Sequence, residues 1–214
     1  MKNRLFIPLA AALLLIIVVA LWPSPYAHVR NLGSGGANLI AFGDSLTAGY
    51  GAQAGEDYPS RLSALIGAPV FNAGVSGDTT ASALARLDAD VLARDPRIVI
   101  VGLGGNDFLN GVPIQTTEAN LRAIVHKVEG AGAMVVLLGF RFPSLTADYE
   151  AMYTRIAKDE QCLLVPRITR GIMNDESLKS DAIHPNAKGY ALMAERIAGP
   201  CKKLIAKAER ARVR

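Results

Sequence analysis

Cysteine is scarce in this sequence, which limits covalent cross-linking. Only two cysteines occur, Cys162 and Cys201. Cys162 begins the apolar stretch CLLVP, where a buried cysteine usually packs as a small hydrophobic side chain. An oxidising compartment would permit a disulfide, but the sequence supplies no geometry for one. We therefore expect the two thiols to stay unpaired.

The central part of the chain also lacks an excess of positive charge. The whole chain has a formal net charge of +4, yet residues 38–200 carry 14 Lys and Arg against 18 Asp and Glu. The basic excess lies in residues 1–37 and 201–214. A domain that binds polyanions concentrates positive charge on its folded body, so nucleic-acid binding is not expected.

Charge is absent from an N-terminal run of 18 residues, LFIPLAAALLLIIVVALW. As a helix this run is roughly 27 Å long, enough to span a bilayer core. Lys2 and Arg4 precede it, and Trp22 and Tyr26 lie at its far boundary, as interfacial aromatics do. We predict that residues 1–22 form a transmembrane anchor in the inner membrane, with the folded domain on the periplasmic or extracytoplasmic side.

A cleaved signal peptide, followed by secretion, is the alternative. The apolar region of such a peptide is usually about 7–15 residues, shorter than the run seen here. The following segment, PSPYAHV, offers a poor cleavage site after Ala27, and no lipid-attachment cysteine follows. The length of the run favours the uncleaved anchor.

The rest of the chain suits one globular domain. Residues 23–37, PSPYAHVRNLGSGGA, are rich in Pro, Gly and Ser, and we predict that they form a flexible tether. The folded domain is predicted over residues 38–206 and a basic tail over residues 207–214. The tail would rest on anionic lipid or form the solvated end of a helix.

Short apolar runs alternate with longer amphipathic stretches along the domain. This alternation predicts a parallel sheet with helices on both sides. In such sheets ligands bind beyond the carboxyl ends of the strands. The predicted strands are residues 38–42, 69–73, 97–103, 133–139 and 162–166, and the predicted helices are residues 57–66, 79–93, 116–130, 146–160 and 187–206.

The first predicted strand ends in FGDSLTAGYG, which contains Ser45. Its hydroxyl would lie near a helix N-terminus, where backbone N–H groups and the helix dipole favour an anion. Asp and Ser are also preferred N-cap residues. On this block alone, helix capping is the slightly favoured interpretation.

Glycines accompany polar residues at the next two strand ends. Gly77, in NAGVSGDTTASAL, lets the backbone approach a ligand, although on this block alone an ordinary strand-to-helix turn is the favoured interpretation. Asn106, in GLGGNDFLNG, can offer its amide N–H₂ to a developing oxyanion. A phosphate-binding loop is a weak alternative, because the lysine of GxxxxGK[ST] and the spacing of GxGxxG are both missing.

The last block, SDAIHPNAKGYALMAERI, places Asp181 and His184 just ahead of a helix. The carboxylate can hold one ring nitrogen and leave the other free to act as a base. His28 lies in the predicted tether and His126 in a predicted helix, so His184 alone is placed as a base should be. Together the four blocks supply a nucleophile, a base, an orienting acid and oxyanion donors.

In combination these blocks resemble the SGNH, or GDSL, hydrolase family. FGDSLTAGYG matches its first block, NAGVSGDT its second, GLGGNDF its third and DAIHPN its last, in the family's order across residues 41–187. The similarity is greatest to the bacterial branch of acyl-thioesterases, lysophospholipases and arylesterases. Ala182 stands where that branch often has glycine, a mild departure within a loop.

The resemblance implies a flavodoxin-like three-layer α/β/α sandwich with a five-stranded parallel sheet. It implies that Ser45 is the nucleophile, His184 the general base and Asp181 its orienting partner. The oxyanion hole would comprise the backbone N–H groups of Ser45 and Gly77 and the Asn106 side chain. No metal or cofactor is needed for this chemistry.

The implied activity is hydrolysis of small acyl esters, thioesters or lysophospholipids through an acyl-enzyme. Removal of O-acetyl groups from envelope polysaccharide is an alternative, and a non-catalytic acyl-binding domain is disfavoured because every catalytic position is filled. We expect specificity to reside in loops near residues 108–115 and 140–148, where Phe108, Arg141 and Phe142 would contact substrate. A structural role for Arg141 is equally consistent with the sequence. A monomer is expected.

Overall fold

Strands and helices alternate along the part of the chain that the structure describes. The computed structural model describes residues 26, 28–141 and 147–213. Its strands are β1 (Asn38–Gly43), β2 (Val70–Gly74), β3 (Pro96–Gly102), β4 (Met134–Leu138) and β5 (Leu163–Val165). Its α-helices are α1 (Ser45–Ala48), α2 (Tyr58–Ile66), α3 (Thr80–Asp90), α4 (Gly105–Leu109), α5 (Ile114–Gly130), α6 (Ala147–Asp159) and α7 (Ala187–Arg212). Short 3-10 helices span Leu92–Arg94 and Glu176–Leu178.

The five strands form one sheet in the order β2-β1-β3-β4-β5, and every pairing is parallel. The predicted five-stranded parallel sheet is confirmed. Gly43 at the end of β1 pairs with Gly74 of β2 on one side and Gly102 of β3 on the other. The order of strands reverses around β1, so a crevice opens at these three neighbouring carboxyl ends.

Apolar strands explain why helices cover the sheet on both sides. The residues Ile98–Val101 and Met134–Leu138 are fully buried, as are Ile40 and Phe42. Nearly continuous apolar runs of this kind are typical of strands whose two faces are both covered. The helices pack in two groups, α2 with α7, and α3, α5 and α6 in succession. The edge strand β2 is less buried, and Phe71 is 47% exposed.

The C-terminal helix is longer than predicted. It continues to Arg212 instead of ending at residue 206, with Ala208 buried and Glu209 within 2.6 Å of Arg97. Most of the predicted basic tail is therefore the last part of α7. The structure favours the helical interpretation of these residues.

Part of the predicted tether packs against the domain. Val29 is buried at 4% exposure, and the Asn31 amide donates to the carbonyl oxygens of Glu129 and Ala133 at 2.8 and 3.0 Å. The Arg30 N–H donates to the Gln161 carbonyl at 2.9 Å. Residues 29–31 therefore pack against the domain ahead of its predicted start at residue 38, and the flexibility of the tether stays a prediction. A composition rich in Gly and Ser does not reveal that Val29 joins the buried core or that the Asn31 amide binds backbone carbonyls at the end of α5 and just after it.

The predicted anchor, residues 1–22, lies outside the described residues. Among residues 26, 28–141 and 147–213, none of the helices combines the length and apolar character that crossing a bilayer requires. The anchor, the export of the domain and the monomeric state stay predictions.

The two cysteines are free and buried, as expected. Burial raises the pKa of both Cys162 and Cys201 to about 12. A thiol with such a pKa stays protonated near neutral pH and is a poor nucleophile. Both side chains therefore serve as packing groups in the core.

Candidate active site

Ser45 begins the short helix α1 directly after β1. The N-cap of this helix is Asp44, whose carboxylate accepts a hydrogen bond from the Leu46 N–H at 3.0 Å. Gly49, in the left-handed conformation at φ 87°, ends the helix after one turn. Because Asp44 already caps the helix, the Ser45 hydroxyl is not needed for that role.

The Ser45 hydroxyl contacts a histidine that is 139 residues away in the sequence. Ser45 Oγ lies 3.0 Å from His184 Nε2. The other ring nitrogen, Nδ1, lies 2.8 Å from Asp181 Oδ2. The structure thus brings together the three residues that the sequence assigned to nucleophile, base and orienting acid.

Asp181 is held in place by the backbone of its own loop. Its Oδ1 accepts hydrogen bonds from the N–H groups of Ile183 and His184 at 2.9 and 2.8 Å. Burial raises the pKa of Asp181, but these hydrogen bonds and the His184 ring outweigh it, so its pKa lies below the ordinary value. An ionised Asp181 accepts a hydrogen bond from Nδ1–H, which leaves the lone pair of Nε2 directed at Ser45.

Tyr50 contacts the His184 ring, a contact that the sequence did not predict. The two ring centroids are 4.5 Å apart with the planes tilted by 47°. The Tyr50 carbonyl accepts a hydrogen bond from the buried Tyr190 hydroxyl at 2.8 Å. Tyr50 belongs to the same block as Ser45, which is the one sequence signal that could have identified it.

Asn106 lies in α4 and lines the same cavity as Ser45. Its Nδ2 donates a hydrogen bond to the carbonyl of Asp78 at 2.8 Å. An amide nitrogen carries two hydrogens, so one remains for another acceptor. Asp107, the next residue, accepts hydrogen bonds from the N–H and hydroxyl of Thr80 at 2.8 and 2.5 Å, which ties α4 to the start of α3.

Gly77 lies in the turn between β2 and α3, with φ 86° and open space where a Cβ would be. It precedes Asp78, whose carbonyl binds Asn106, but Gly77 is not among the residues that line the cavity. Gly74 has a different role. A Cβ on residue 74 would lie 2.2 Å from the Ala48 nitrogen, so the absence of a side chain at Gly74 lets β2 pack closely against α1.

A cavity of about 230 Å³ opens beside Ser45, and its walls are mainly apolar. Phe108, a predicted substrate contact, lies in this wall, and its ring meets Tyr149 edge-on at 5.3 Å. The sequence did not single out most of the other wall residues, because their approach depends on how loops fold. The apolar lining residues are Leu46, Phe108, Leu109, Met173, Ala182 and Ile183.

Arg141 binds residues outside the cavity. Its guanidinium forms an ion pair with Glu150, and its backbone N–H donates to Thr169 Oγ1 at 2.8 Å. It is not among the residues that line the cavity beside Ser45. The structure therefore favours the structural role of Arg141 over substrate contact. Phe142, the other predicted contact in this loop, lies outside the described residues.

The carboxyl group of Asp44 is buried at the cavity. Desolvation is the main reason that the pKa of Asp44 rises to about 7; the hydrogen bond from Leu46 lowers it, and the nearby carboxylates of Asp78 and Asp107 raise it. Asp44 therefore retains its proton in the folded protein over a pH range in which an exposed aspartate is ionised.

We expect Asp44→Asn to stabilise the protein at neutral and alkaline pH. The unfolded chain ionises Asp44 with a pKa of about 3.9, whereas the folded protein does so near 7. The contribution of protonated Asp44 to stability is complete below about pH 4 and is lost as the pH rises to about 7. Asparagine cannot ionise and can still cap Leu46. At about 1.4 kcal/mol per pKa unit, we expect a gain of at least about 1 kcal/mol at pH 8.

Urea unfolding at several pH values measures this effect. The difference between Asp44→Asn and the wild-type protein should shrink towards about pH 4. Asp175→Asn is the matched control, because Asp175 caps a 3-10 helix but is exposed and has a lowered pKa, so it should show no gain at alkaline pH. A pH-independent difference for Asp44→Asn would contradict the explanation.

Comparison with known proteins identifies the family. The family model for GDSL-like lipases and acylhydrolases matches residues 41–192. The chain belongs to this family. The matched segment begins within β1 and ends within α7, so it includes all four blocks predicted from the sequence.

Individual members of the GDSL family are similar to this chain in sequence. Thioesterase 1/protease 1/lysophospholipase L1 of Escherichia coli K12 is 34% identical over 175 residues, which cover 78% of this chain and 84% of the relative. An arylesterase of Vibrio mimicus is 32% identical over 171 residues, which cover 75% and 86%.

A solved structure of a GDSL-family enzyme agrees with the fold. The crystal structure of the psychrotrophic esterase EstA from Pseudoalteromonas sp., inhibited by monoethylphosphonate, has a TM-score of 0.71 and 30% sequence identity. The match covers 79% of this chain and 98% of EstA. The resemblance seen in the sequence is confirmed, and the chain is an ester hydrolase of the SGNH/GDSL type.

Proposed function

We propose that this protein is a serine hydrolase that cleaves carboxylic esters or thioesters of acyl substrates through an acyl-enzyme. Ser45 is the nucleophile, His184 the general base and Asp181 its orienting partner. One observation carries the proposal: Ser45 Oγ is 3.0 Å from His184 Nε2, while Nδ1 of the same ring is 2.8 Å from Asp181. A nucleophile, a base and an orienting acid within hydrogen-bond reach are the parts that covalent acyl transfer requires.

In the first half-reaction His184 takes the proton of Ser45 as Ser45 Oγ attacks the acyl carbonyl carbon. The carbonyl oxygen becomes an oxyanion, which accepts hydrogen bonds from the backbone N–H groups of Ser45 and Gly77 and from Asn106 Nδ2. The protonated His184 then gives its proton to the leaving alcohol or thiol. Asp181 stabilises the imidazolium during this step.

In the second half-reaction water replaces the leaving group. His184 Nε2 takes a proton from the water, whose oxygen attacks the acyl-enzyme carbonyl. The tetrahedral intermediate collapses, the free acid leaves, and the proton returns to Ser45. Every proton transfer in this cycle uses residues of this chain.

The apolar cavity supports an acyl substrate with a hydrocarbon chain. Its walls are formed by side chains such as Phe108, Leu109 and Ile183, which offer no hydrogen bonds to a sugar hydroxyl. Burying hydrocarbon contributes about 0.8 kcal/mol for each CH₂ group. We therefore propose medium-chain acyl esters or thioesters as substrates, including aryl esters and lysophospholipids, in preference to acetyl groups on polysaccharide.

A chain-length series tests the substrate class. On p-nitrophenyl esters we expect kcat/KM to rise at least about tenfold from acetate to octanoate, because additional CH₂ groups enter the cavity. Phe108→Ala should reduce the octanoate rate more than the acetate rate. Phe71→Ala is the matched control, because Phe71 is an exposed phenylalanine on the edge strand β2. Faster turnover of acetate would instead favour the O-acetyl esterase alternative.

A further inference from the structure

We propose that Arg86 is a positioning residue that aligns the oxyanion hole. Arg86 lies in α3 and connects the ends of β1 and β2 to the carboxylate of Asp78. The proposal rests on the proposed function, in which Ser45, Gly77 and Asn106 donate hydrogen bonds to the oxyanion.

The Arg86 guanidinium donates hydrogen bonds to four acceptors. Its Nε donates to Asp78 Oδ2 at 2.6 Å, and its Nη1 donates to Asp90 Oδ2 at 2.9 Å. Its Nη2 donates to two backbone carbonyls, that of Gly43 at 3.1 Å and that of Ala73 at 3.0 Å. A single planar group thus contacts two strands and the turn that follows β2.

Two of these acceptors, Gly43 and Asp78, are chain neighbours or hydrogen-bond partners of the three proposed oxyanion donors. Gly43 ends β1, two residues before Ser45. Asp78 follows Gly77 in the turn after β2 and also provides the carbonyl that accepts the hydrogen bond from Asn106 Nδ2 at 2.8 Å. The contacts of Arg86 therefore set the relative positions of the Ser45 backbone, the Gly77 backbone and the Asn106 amide.

The Arg86 side chain is itself held tightly. It is 18% exposed, and its guanidinium carbon lies 4.4 Å from the centre of the Phe42 ring. Its partner Asp78 is 8% exposed and accepts a second hydrogen bond from Ser82 Oγ at 2.8 Å. A planar guanidinium can make these directed contacts simultaneously, whereas the ammonium of lysine acts as a point charge on a flexible stem.

Arg86→Lys tests the proposal without removing the positive charge beside Asp78 and Asp90. A displacement of about 1 Å in a catalytic group can cost about 10²-fold in rate. We expect Arg86→Lys to lower kcat on a p-nitrophenyl ester about 10- to 100-fold, with KM within about twofold of wild type, because Arg86 does not line the acyl cavity.

A double-mutant cycle with Asn106→Ala separates positioning from a general structural role. In the wild-type background Asn106→Ala should cost about 10²- to 10³-fold in kcat. If Arg86 aligns the hole, the amide is already misplaced in Arg86→Lys, and Asn106→Ala should then cost less than about tenfold. Arg122→Lys is the matched control, because Arg122 lies on α5, is 25% exposed, binds three carboxylates and does not line the cavity. Arg122→Lys should retain the wild-type kcat and KM, and Asn106→Ala should cost as much in the Arg122→Lys background as in the wild-type protein.

The possible results distinguish the two proposals. Equal costs of Asn106→Ala in the wild-type and Arg86→Lys backgrounds would overturn the positioning role, as would a wild-type kcat for Arg86→Lys. If Asn106→Ala had no effect in the wild-type protein, the oxyanion hole of the proposed function would itself be wrong. Thermal unfolding of each variant verifies that the measured protein is folded.

Discussion

The Ser45→Ala variant is expected to lose about 10⁴- to 10⁶-fold in kcat on p-nitrophenyl esters. The expected loss is large because alanine has no oxygen to form the acyl-enzyme, so His184 has no nucleophile to activate. Residual hydrolysis would come from substrate binding and the oxyanion donors acting on water. The change removes one oxygen from a small side chain at the start of α1, where Asp44 supplies the cap. Folding should therefore be preserved.

Two measurements make this prediction specific. Steady-state hydrolysis gives the loss of activity, and a fluorophosphonate probe, which reacts with activated serines, should label the wild-type protein but not Ser45→Ala. Ser63→Ala is the matched control, because Ser63 is a partly buried serine of α2 that does not line the cavity, and its hydroxyl donates to the Ala68 carbonyl just beyond the helix. It should keep its activity and its labelling. Full activity in Ser45→Ala would exclude Ser45 as the nucleophile.

Asn106→Ala has the second-largest expected effect, a loss of about 10²- to 10³-fold in kcat with little change in KM. The Asn106 amide would bind the oxygen only after it becomes negative, so the loss falls on the transition state and not on substrate binding. The hydrogen bond to the Asp78 carbonyl is also lost, which should cost about 1 kcal/mol of stability. A small stability loss with a large loss of kcat is the expected pattern.

Asn110→Ala provides the control for Asn106→Ala. Asn110 is exposed and follows the same short helix, α4, one turn after Asn106. Its replacement should leave kcat unchanged and alter the thermal midpoint only slightly. If Asn106→Ala instead raised KM and left kcat intact, Asn106 would be a substrate-binding residue and not an oxyanion donor.

The sheet was predictable because its strands are apolar along nearly their whole length. Runs such as RIVIVGL and AMVVLLGF have no polar face to expose, which requires helices on both sides. Boundaries were less predictable. The helix predicted over residues 79–93 ends at Asp90, where a 3-10 turn follows, and α7 extends to Arg212 because alanine and leucine keep an apolar face against the core.

The candidate site was predictable for a different reason. Ser45, Asn106 and His184 follow strand ends or precede a helix, and a parallel sheet gathers such positions at one edge. Residues that act through tertiary contacts do not all lie at strand ends, so this rule does not find them. Arg86 lies in the middle of an amphipathic helix and does not stand out from ordinary surface residues in the sequence. Tyr50 belongs to the Ser45 block, but nothing in the sequence places its ring against His184.

The sequence by itself determined the class of fold, the family and the residue types available for chemistry, because apolar periodicity and local blocks of residues are properties of the chain in order. Only the tertiary structure decided that β1 lies between β2 and β3, which sets three strand ends side by side. It also brought His184 to Ser45 across 139 residues and turned Arg141 towards Glu150 instead of the cavity. Those outcomes depend on strand order and loop packing, which bring together segments that are far apart in the sequence. No single segment carries a residue pattern that reveals its distant partner.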